Sequence, residues 1–398
     1  MKRMLSIILI MSLVATAVSP LFPLYRLRYG LNSLELSLLF VSYAVVLLPV
    51  LLITGARGAF WGLKKVIRLA IWLAVVSSIL FLANNAPWML YAARMLEGAA
   101  YGLFTGAAVP YLLRFASQGL SARAILLSGI TISFGFGLGP AISGLITEYM
   151  PAFPSRTPYL LFIFLLLISA ALIETLPNKK QTEDDARGKI SIGVPAGMSR
   201  HFWLMAALPV FTLFTINGIV LSLIPTFVVS VLKSTDLSIS GLLALLLLGG
   251  GALLQLLPLP SHPVIRLRAG LVILAAGAWT VVLSGQESSL LLLWIGVALQ
   301  ALGTGWVFQV SLRLAGELPE AKDRPRVITT YYLAAYSGFI VPIAGLGLLS
   351  NVFGMTKAMV VLDAASMLLI LFTIVYSYYF KREYETLKDV RITAATLD

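Results

Sequence analysis

Arg94 and Glu97 lie three residues apart in an otherwise apolar run, W-M-L-Y-A-A-R-M-L-E-G-A-A-Y-G-L-F-T-G from Trp88 to Gly106, that continues to Leu113. A charge at the centre of a bilayer costs roughly 2.5 to 3.5 kcal/mol on insertion scales, so two charges in one apolar run call for a use. At this spacing they share a helix face and partly neutralise each other. Such a pair offers proton exchange. Glu97, the shorter and deeper group, is the expected proton carrier with Arg94 as its partner, against the plainer reading of a structural ion pair. Asp363 is the next candidate; six residues past Lys357, it falls about 9 Å below one surface at the helical rise. Arg94 sits at a similar depth below Trp88 and is long enough to snorkel. Glu35, Glu148, Glu174, Asp236 and Glu287 fall at helix ends or loops.

Other chemistry finds little support. The two histidines, His201 and His262, fall in expected loops, and no paired carboxylates occur inside the apolar runs. Neither metal nor acid-base catalysis is therefore expected, and no enzyme. With no cysteine there is no thiolate site or disulfide framework. A nucleotide-binding glycine loop is missing as well, which argues against direct ATP drive. No cofactor is expected.

The elements that must hold these residues are membrane helices. Hydrophobic residues make up 59% of the 398 and charged residues only 12%, with a mean hydropathy of +0.94, far from the balance of a soluble domain. Apolar segments fall at about 4–25, 35–54, 66–83, 88–113, 124–147, 158–176, 202–232, 238–257, 269–285, 289–312, 327–350 and 357–380. Each suits a bilayer core of about 30 Å, the longer ones by tilting. The expectation is an all-α polytopic membrane protein of twelve transmembrane helices.

Loop charges orient it. With the N-terminus inside, 23 of the 29 Lys and Arg fall on the inner side, five fall outside (Arg26, Arg28, Arg156, Lys233, Lys357) and Arg94 is in the membrane. This is the positive-inside pattern for a multi-pass protein with both termini cytoplasmic, here expected in the plasma membrane. It accounts for the net charge of +12 without nucleic acid. Met1–Arg3, Leu5–Val14 and Ala15-Thr16-Ala17 also have the layout of a cleaved signal, but the apolar run to Tyr25 and the need for a sixth helix in the first half argue against cleavage.

The sequence repeats weakly at an offset of about 203 residues, which lays 94–106 near 299–309, Arg123 on Arg326, and the glycine-rich fifth helix on S-G-F-I-V-P-I-A-G at 337–345. An internally duplicated chain has this signature. The expected organisation is two pseudo-symmetric six-helix bundles, 1–177 and 201–380, with a hydrated cytoplasmic linker at 178–200 and a cytoplasmic tail at 381–398. The linker's acidic residues, Glu183, Asp184 and Asp185, lie among lysines and arginines and read as solvated rather than as a metal site.

Three stretches give the chain a resemblance to the major facilitator superfamily over essentially its whole length. The loop between helices 2 and 3, G-A-R-G-A-F-W-G-L-K-K-V from Gly55 to Val66, keeps the family's glycines, Gly55 and Gly62, and its basic end, Lys64 and Lys65. Ala59 stands where the family carries an acid that helps latch the cytoplasmic side, and Phe60 where it carries a base. Helix 4 keeps the family's membrane arginine as Arg94 and the following glycine as Gly98. Helix 5 reads G-F-G-L-G-P-A-I-S-G from Gly135 to Gly144, similar to the pattern most associated with antiporters. Physically, Gly135 and Gly139 would share one close-packing face and Pro140 would permit a kink, while Gly98, Gly102 and Gly106 step along helix 4 as a second seam.

The resemblance implies a central pathway lined by helices 1, 4, 7 and 10. Ser12, Thr16 and Ser19 form one stripe of helix 1; helix 7 offers Thr212, Thr215 and Asn217; helix 10 offers Gln300, Thr304 and Gln309. Lone hydroxyls are as readily satisfied by backbone carbonyls. Tyr101, Trp306, Tyr331, Tyr332 and Tyr336 would make the cavity broad and aromatic, although an interfacial belt also explains some of them. The leading expectation is a secondary transporter working by alternating access, a monomer exporting small amphipathic molecules against protons. Proton-coupled uptake of a sugar or organic acid, and a non-transporting sensor of the same fold, are the alternatives.

Overall fold

The computed structural model describes all residues except 116–120, 151, 179–189, 255–261, 321 and 396–398. Most of the charged linker lies outside the described residues. Among the described residues, ten helices are each long and apolar enough to cross a bilayer: α1 (Lys2–Tyr29), α2 (Ser33–Trp61), α3 (Leu63–Ala83), α5 (Ala124–Tyr149), α6 (Thr157–Glu174), α7 (Ala196–Ser222), α9 (Pro263–Gln286), α10 (Leu290–Glu317), α11 (Arg324–Phe353) and α12 (Met355–Lys381). The charge-bearing α4 (Pro87–Arg114) and the shorter α8 (Ser238–Leu253) complete twelve.

Local chemistry sets the ends. Asn32 opens α2 with a reciprocal cap, its Oδ1 accepting from Glu35 N at 3.0 Å while its own N donates to Glu35 Oε2 at 2.7 Å. Pro87 opens α4 where no amide donor is needed. Gly62 turns the chain at φ 90°, a conformation glycine adopts without strain. That turn corrects the expected loop at 55–66. The helices run to Trp61 and resume at Leu63, because nothing between Gly55 and Trp61 denies the backbone its helical bonds.

Two further corrections concern α1 and α7, both read as continuous. The first is helical over Lys2–Val14, then re-forms through a tight turn at Ser19–Leu21 into Phe22–Tyr29. The second breaks at Leu223 and resumes at Ile224–Ser230. Each resumption has a proline in its first turn, Pro20 and Pro23 in one and Pro225 in the other, where the missing N–H costs least. At the other end of the chain, α12 continues as helix to Ala395.

Burial divides the chain into cores. Residues from Met4 to Ile173 form one, with Tyr336 of α11 packed against it. Phe202 to Phe380 form a second. A third joins Val41 of α2 to residues of α7 to α12, so the halves meet where α2 lies on α11 and α5 on α8.

Candidate functional site

The break in α1 supplies the first part of the site. At Ser19 the amide bonds back to Thr16 O rather than to Ala15 O, which leaves the Ala15 carbonyl available to a side chain. Arg94 Nη1 reaches it at 3.5 Å, and Nη2 reaches Phe40 O on α2 at 3.5 Å. Both are long contacts beside the main one, Arg94 Nη1 to Glu97 Oε2 at 2.5 Å. The guanidinium also lies over the Tyr43 ring at 4.5 Å from its centroid, within cation–π range. Arg94 and Glu97 are 2% and 3% exposed. Among the described residues Arg94 Nε, which is buried, has no hydrogen-bond partner. The arrangement is a nearly dry ion pair whose Nε–H is still to be given.

Glycines make this approach geometrically available. A Cβ on Gly98 would collide with the Tyr43 carbonyl oxygen; on Gly102 it would lie 2.7 Å from Leu47 O, and on Gly106 2.8 Å from Thr54 Cβ. Without those side chains α4 lies directly on α2, which is what sets Tyr43 above Arg94. On α5 a Cβ at Gly135 would lie 2.7 Å from Ser12 Cβ, and one at Gly139 would strike the Leu13 carbonyl oxygen. Gly144 and the carbonyl of Pro140 face α8 instead, at Leu237 and Gly241. Gly55 has open space around its Cβ position.

The polar candidates divide by what they bind. Ser12 Oγ meets Tyr101 Oη at 3.2 Å, and Thr16 Oγ1 donates to Phe136 O at 2.8 Å. Ser19 Oγ donates across the halves to Leu221 O. Thr212 donates to Leu208 O, and Thr215 to Phe211 O and to Gly338 O at 3.1 Å, so both hydroxyls are occupied by backbone. Thr304 Oγ1 donates to Asn217 Oδ1 at 3.1 Å, whereas the buried Gln300 Oε1 and Asp363 Oδ1 have no partner among the described residues. Gln309 is drawn away, accepting from Arg266 Nη1 at 3.0 Å. Asp363 lies on α12, on the same buried stripe as Met359 and Ser366.

Of the aromatic residues where the halves meet, sequence reasoning singled out Tyr336 but not the phenylalanines. Phe40 of α2 meets Phe339 of α11 edge-on at 5.8 Å, and Phe214 of α7 packs on Phe339 at 4.6 Å and Tyr336 at 5.7 Å. Phe40 and Tyr43 share a face of α2 at i, i+3 spacing. That is a faint signal, since an aromatic on a membrane helix reads equally well as lipid-facing.

Among the described residues, twelve apolar helices, with breaks in α1 and α7, hold a buried ion pair beside an aromatic contact between the halves, the frame of a polytopic helical membrane protein. The Major Facilitator Superfamily model matches residues 4–285, and the chain belongs to that family. A Mycobacterium tuberculosis protein described as an uncharacterized MFS-type transporter is 26% identical over 110 residues; the match spans 28% of this chain and 26% of that protein. A bacterial homolog of the human lysosomal transporter spinster, solved in an inward-facing, unoccupied conformation, aligns with TM-score 0.73 at 12% identity over 96% of this chain and 97% of its own. The nucleoside transporter NupG aligns with TM-score 0.73 at 12% identity over 94% and 98%. At such identities these two likenesses show a shared fold.

Proposed function

We propose that this membrane transporter works by alternating access and couples export of small amphipathic molecules to proton entry through Glu97 and Arg94. The observation that carries the reading is the buried Arg94–Glu97 pair next to the aromatic contact between the halves. A proton can bias a two-state carrier only at a group whose surroundings differ between the states. Glu97 has that property if Arg94, which already touches backbone of α1 and α2, exchanges partners as those helices move. The aromatic residues Phe40, Phe214, Tyr336 and Phe339 favour an amphipathic cargo, and Asn217, Thr304 and Gln300 offer it neutral polar groups. Asp363 is the second proton candidate. In this reading the protein acts as a monomer in the plasma membrane with both termini and the 178–200 linker cytoplasmic.

One observation favours a second reading, uptake of a carboxylate-bearing nutrient by symport. The Nε of Arg94 has no partner among the described residues, and an anionic substrate would supply one. Transport in proteoliposomes under an imposed pH gradient separates the two. Export of lipophilic cations supports the first reading, accumulation of an organic acid the second, and no movement of dyes, drugs, sugars or acids supports a sensor. Topology has its own assay. Single cysteines at Asn178 and Asn85 in this cysteine-free chain are labelled in intact cells with an impermeant reagent, and reaction at Asn178 without reaction at Asn85 contradicts cytoplasmic termini.

A further inference from the structure

The offset that relates the halves in sequence also relates their contacts at the end of the bundle far from the chain termini. Gly144 on α5 and Gly347 on α11 are 203 residues apart, and so are Glu148 and Asn351. A Cβ at Gly144 would lie 3.1 Å from the O of Leu237, which leads into α8; at Gly347 it would lie 2.7 Å from Ser37 Cβ and 2.9 Å from Leu34 Cα on α2. One helical turn on, Glu148 Oε2 accepts from Leu237 N at 2.9 Å. At the matching place Asn351 Oδ1 accepts from Ser33 N at 3.0 Å, and Asn351 Nδ2 donates to Asn32 Oδ1 at 3.1 Å. Each half therefore offers the last turn of its fifth helix to the start of the other half's second helix.

Each of those starts is capped twice, once from its own half and once from the other. Asp236 Oδ1 takes Ser238 N at 2.8 Å beside Glu148, and the Asn32–Glu35 cap stands beside Asn351. The first amides of a helix have no intrahelical acceptor. Moving the halves apart at this end strips one cap from each start and separates backbones that glycine lets touch. Motion at the opposite end leaves both caps intact.

We propose that Glu148 and Asn351 are a duplicated pair of positioning residues that hold the far end closed, and thereby set the ratio of far-end-closed to far-end-open carriers. The proposal rests on the alternating-access reading for its role in a cycle, but its measurement needs no substrate. The two seams are unequal. Glu148 brings an anionic acceptor to a half-buried amide, whereas Asn351 is neutral and exposed, and a charge-assisted bond is roughly twice as strong as a neutral one. Loss of the Glu148 cap shifts the ratio about tenfold toward the open form, and loss of the Asn351 cap about threefold.

The test uses the full chain in lipid nanodiscs, with spin labels on cysteines at Leu27 and Lys357, one exposed far-end site in each half. Pulsed electron resonance reads the distance between them. Glu148→Ala is expected to raise the longer-distance population about tenfold and Asn351→Ala about threefold, with melting temperatures near that of the parent. Glu148→Gln keeps a neutral acceptor and is expected to recover about threefold of that shift. A merely structural role would lower the melting temperature and leave the distances alone. Unchanged distances in both alanine variants overturn the proposal. Asn351→Ala, on the exposed surface, decides it alone if Glu148→Ala does not yield folded protein. Shifted distances in a protein that moves no substrate in proteoliposomes would sink the transport reading and leave the latch standing.

Discussion

The same three positions in the two halves have been put to different uses. At the 203-residue offset Glu97 of α4 corresponds to Gln300 of α10, Arg94 to Val297, and Tyr101 to Thr304. Glu97 is 3% exposed and Gln300 2%, so the depth of burial is kept while the chemistry is not. The first half has an ion pair under an aromatic ring; the second has an amide whose oxygen is unpaired and a Thr304–Asn217 hydrogen bond. The packing differs as well. Glycines of α4 press on α2, while Gly296 and Gly303 of α10 press on α9 near Gly277 and Gly270. At these positions the second half keeps the burial and carries no charge, and its own buried acid, Asp363, stands elsewhere, on α12; the proton chemistry proposed for Arg94 and Glu97 therefore has no counterpart at the matching place.

The largest effect expected is on the seams. Gly98→Leu and Gly139→Leu each push a side chain into a backbone carbonyl, and so does Gly338→Leu against Phe211 O in the second half. Each is expected to cut the yield of monodisperse protein and transport at least about tenfold, since backbone cannot yield as a rotamer does. If Gly338→Leu behaves as the parent does, the frames of the halves are not equivalent. Next in size is Arg94→Ala. It leaves Glu97 buried and uncompensated at a cost of about 3 to 5 kcal/mol, against about 1 kcal/mol for Val297→Ala. Reversible unfolding in mixed micelles measures both, and equal costs would erase the proposed division of labour. Smaller still is Gln300→Leu. Removing a buried amide whose oxygen is unpaired changes stability by no more than about 1 kcal/mol, while substrate affinity is expected to fall about tenfold if that oxygen serves the cargo. Unchanged affinity would remove Gln300 from the pathway.

Much of this frame was legible in the sequence for plain physical reasons. A bilayer demands about 20 apolar residues per crossing, so twelve segments could be counted, and two charges in one of them stand out against that background. Glycine spacing on α4 and α5 marked faces for close approach. What the residues could not show was which neighbour each face meets. Thr212 and Thr215, read as cavity groups, bond to backbone, and a hydroxyl's partner depends on rotamer and neighbour rather than on spacing. Tyr43 and Phe40 became significant only because α2 lies on α4. The breaks at Ala15 and Leu223 were hidden in apolar runs whose prolines also fit an unbroken helix, yet the first of them frees the carbonyl that Arg94 reaches.

The most direct measurement is the pH dependence of transport by Glu97→Gln in proteoliposomes under an imposed pH gradient, alongside substrate binding by the same variant. The account expects the parent's rate to follow the gradient, and the variant to bind substrate with its rate flat across pH. A variant that transports with the parent's pH profile would show that Glu97 is structural, and would move the proton to Asp363 or out of the mechanism altogether.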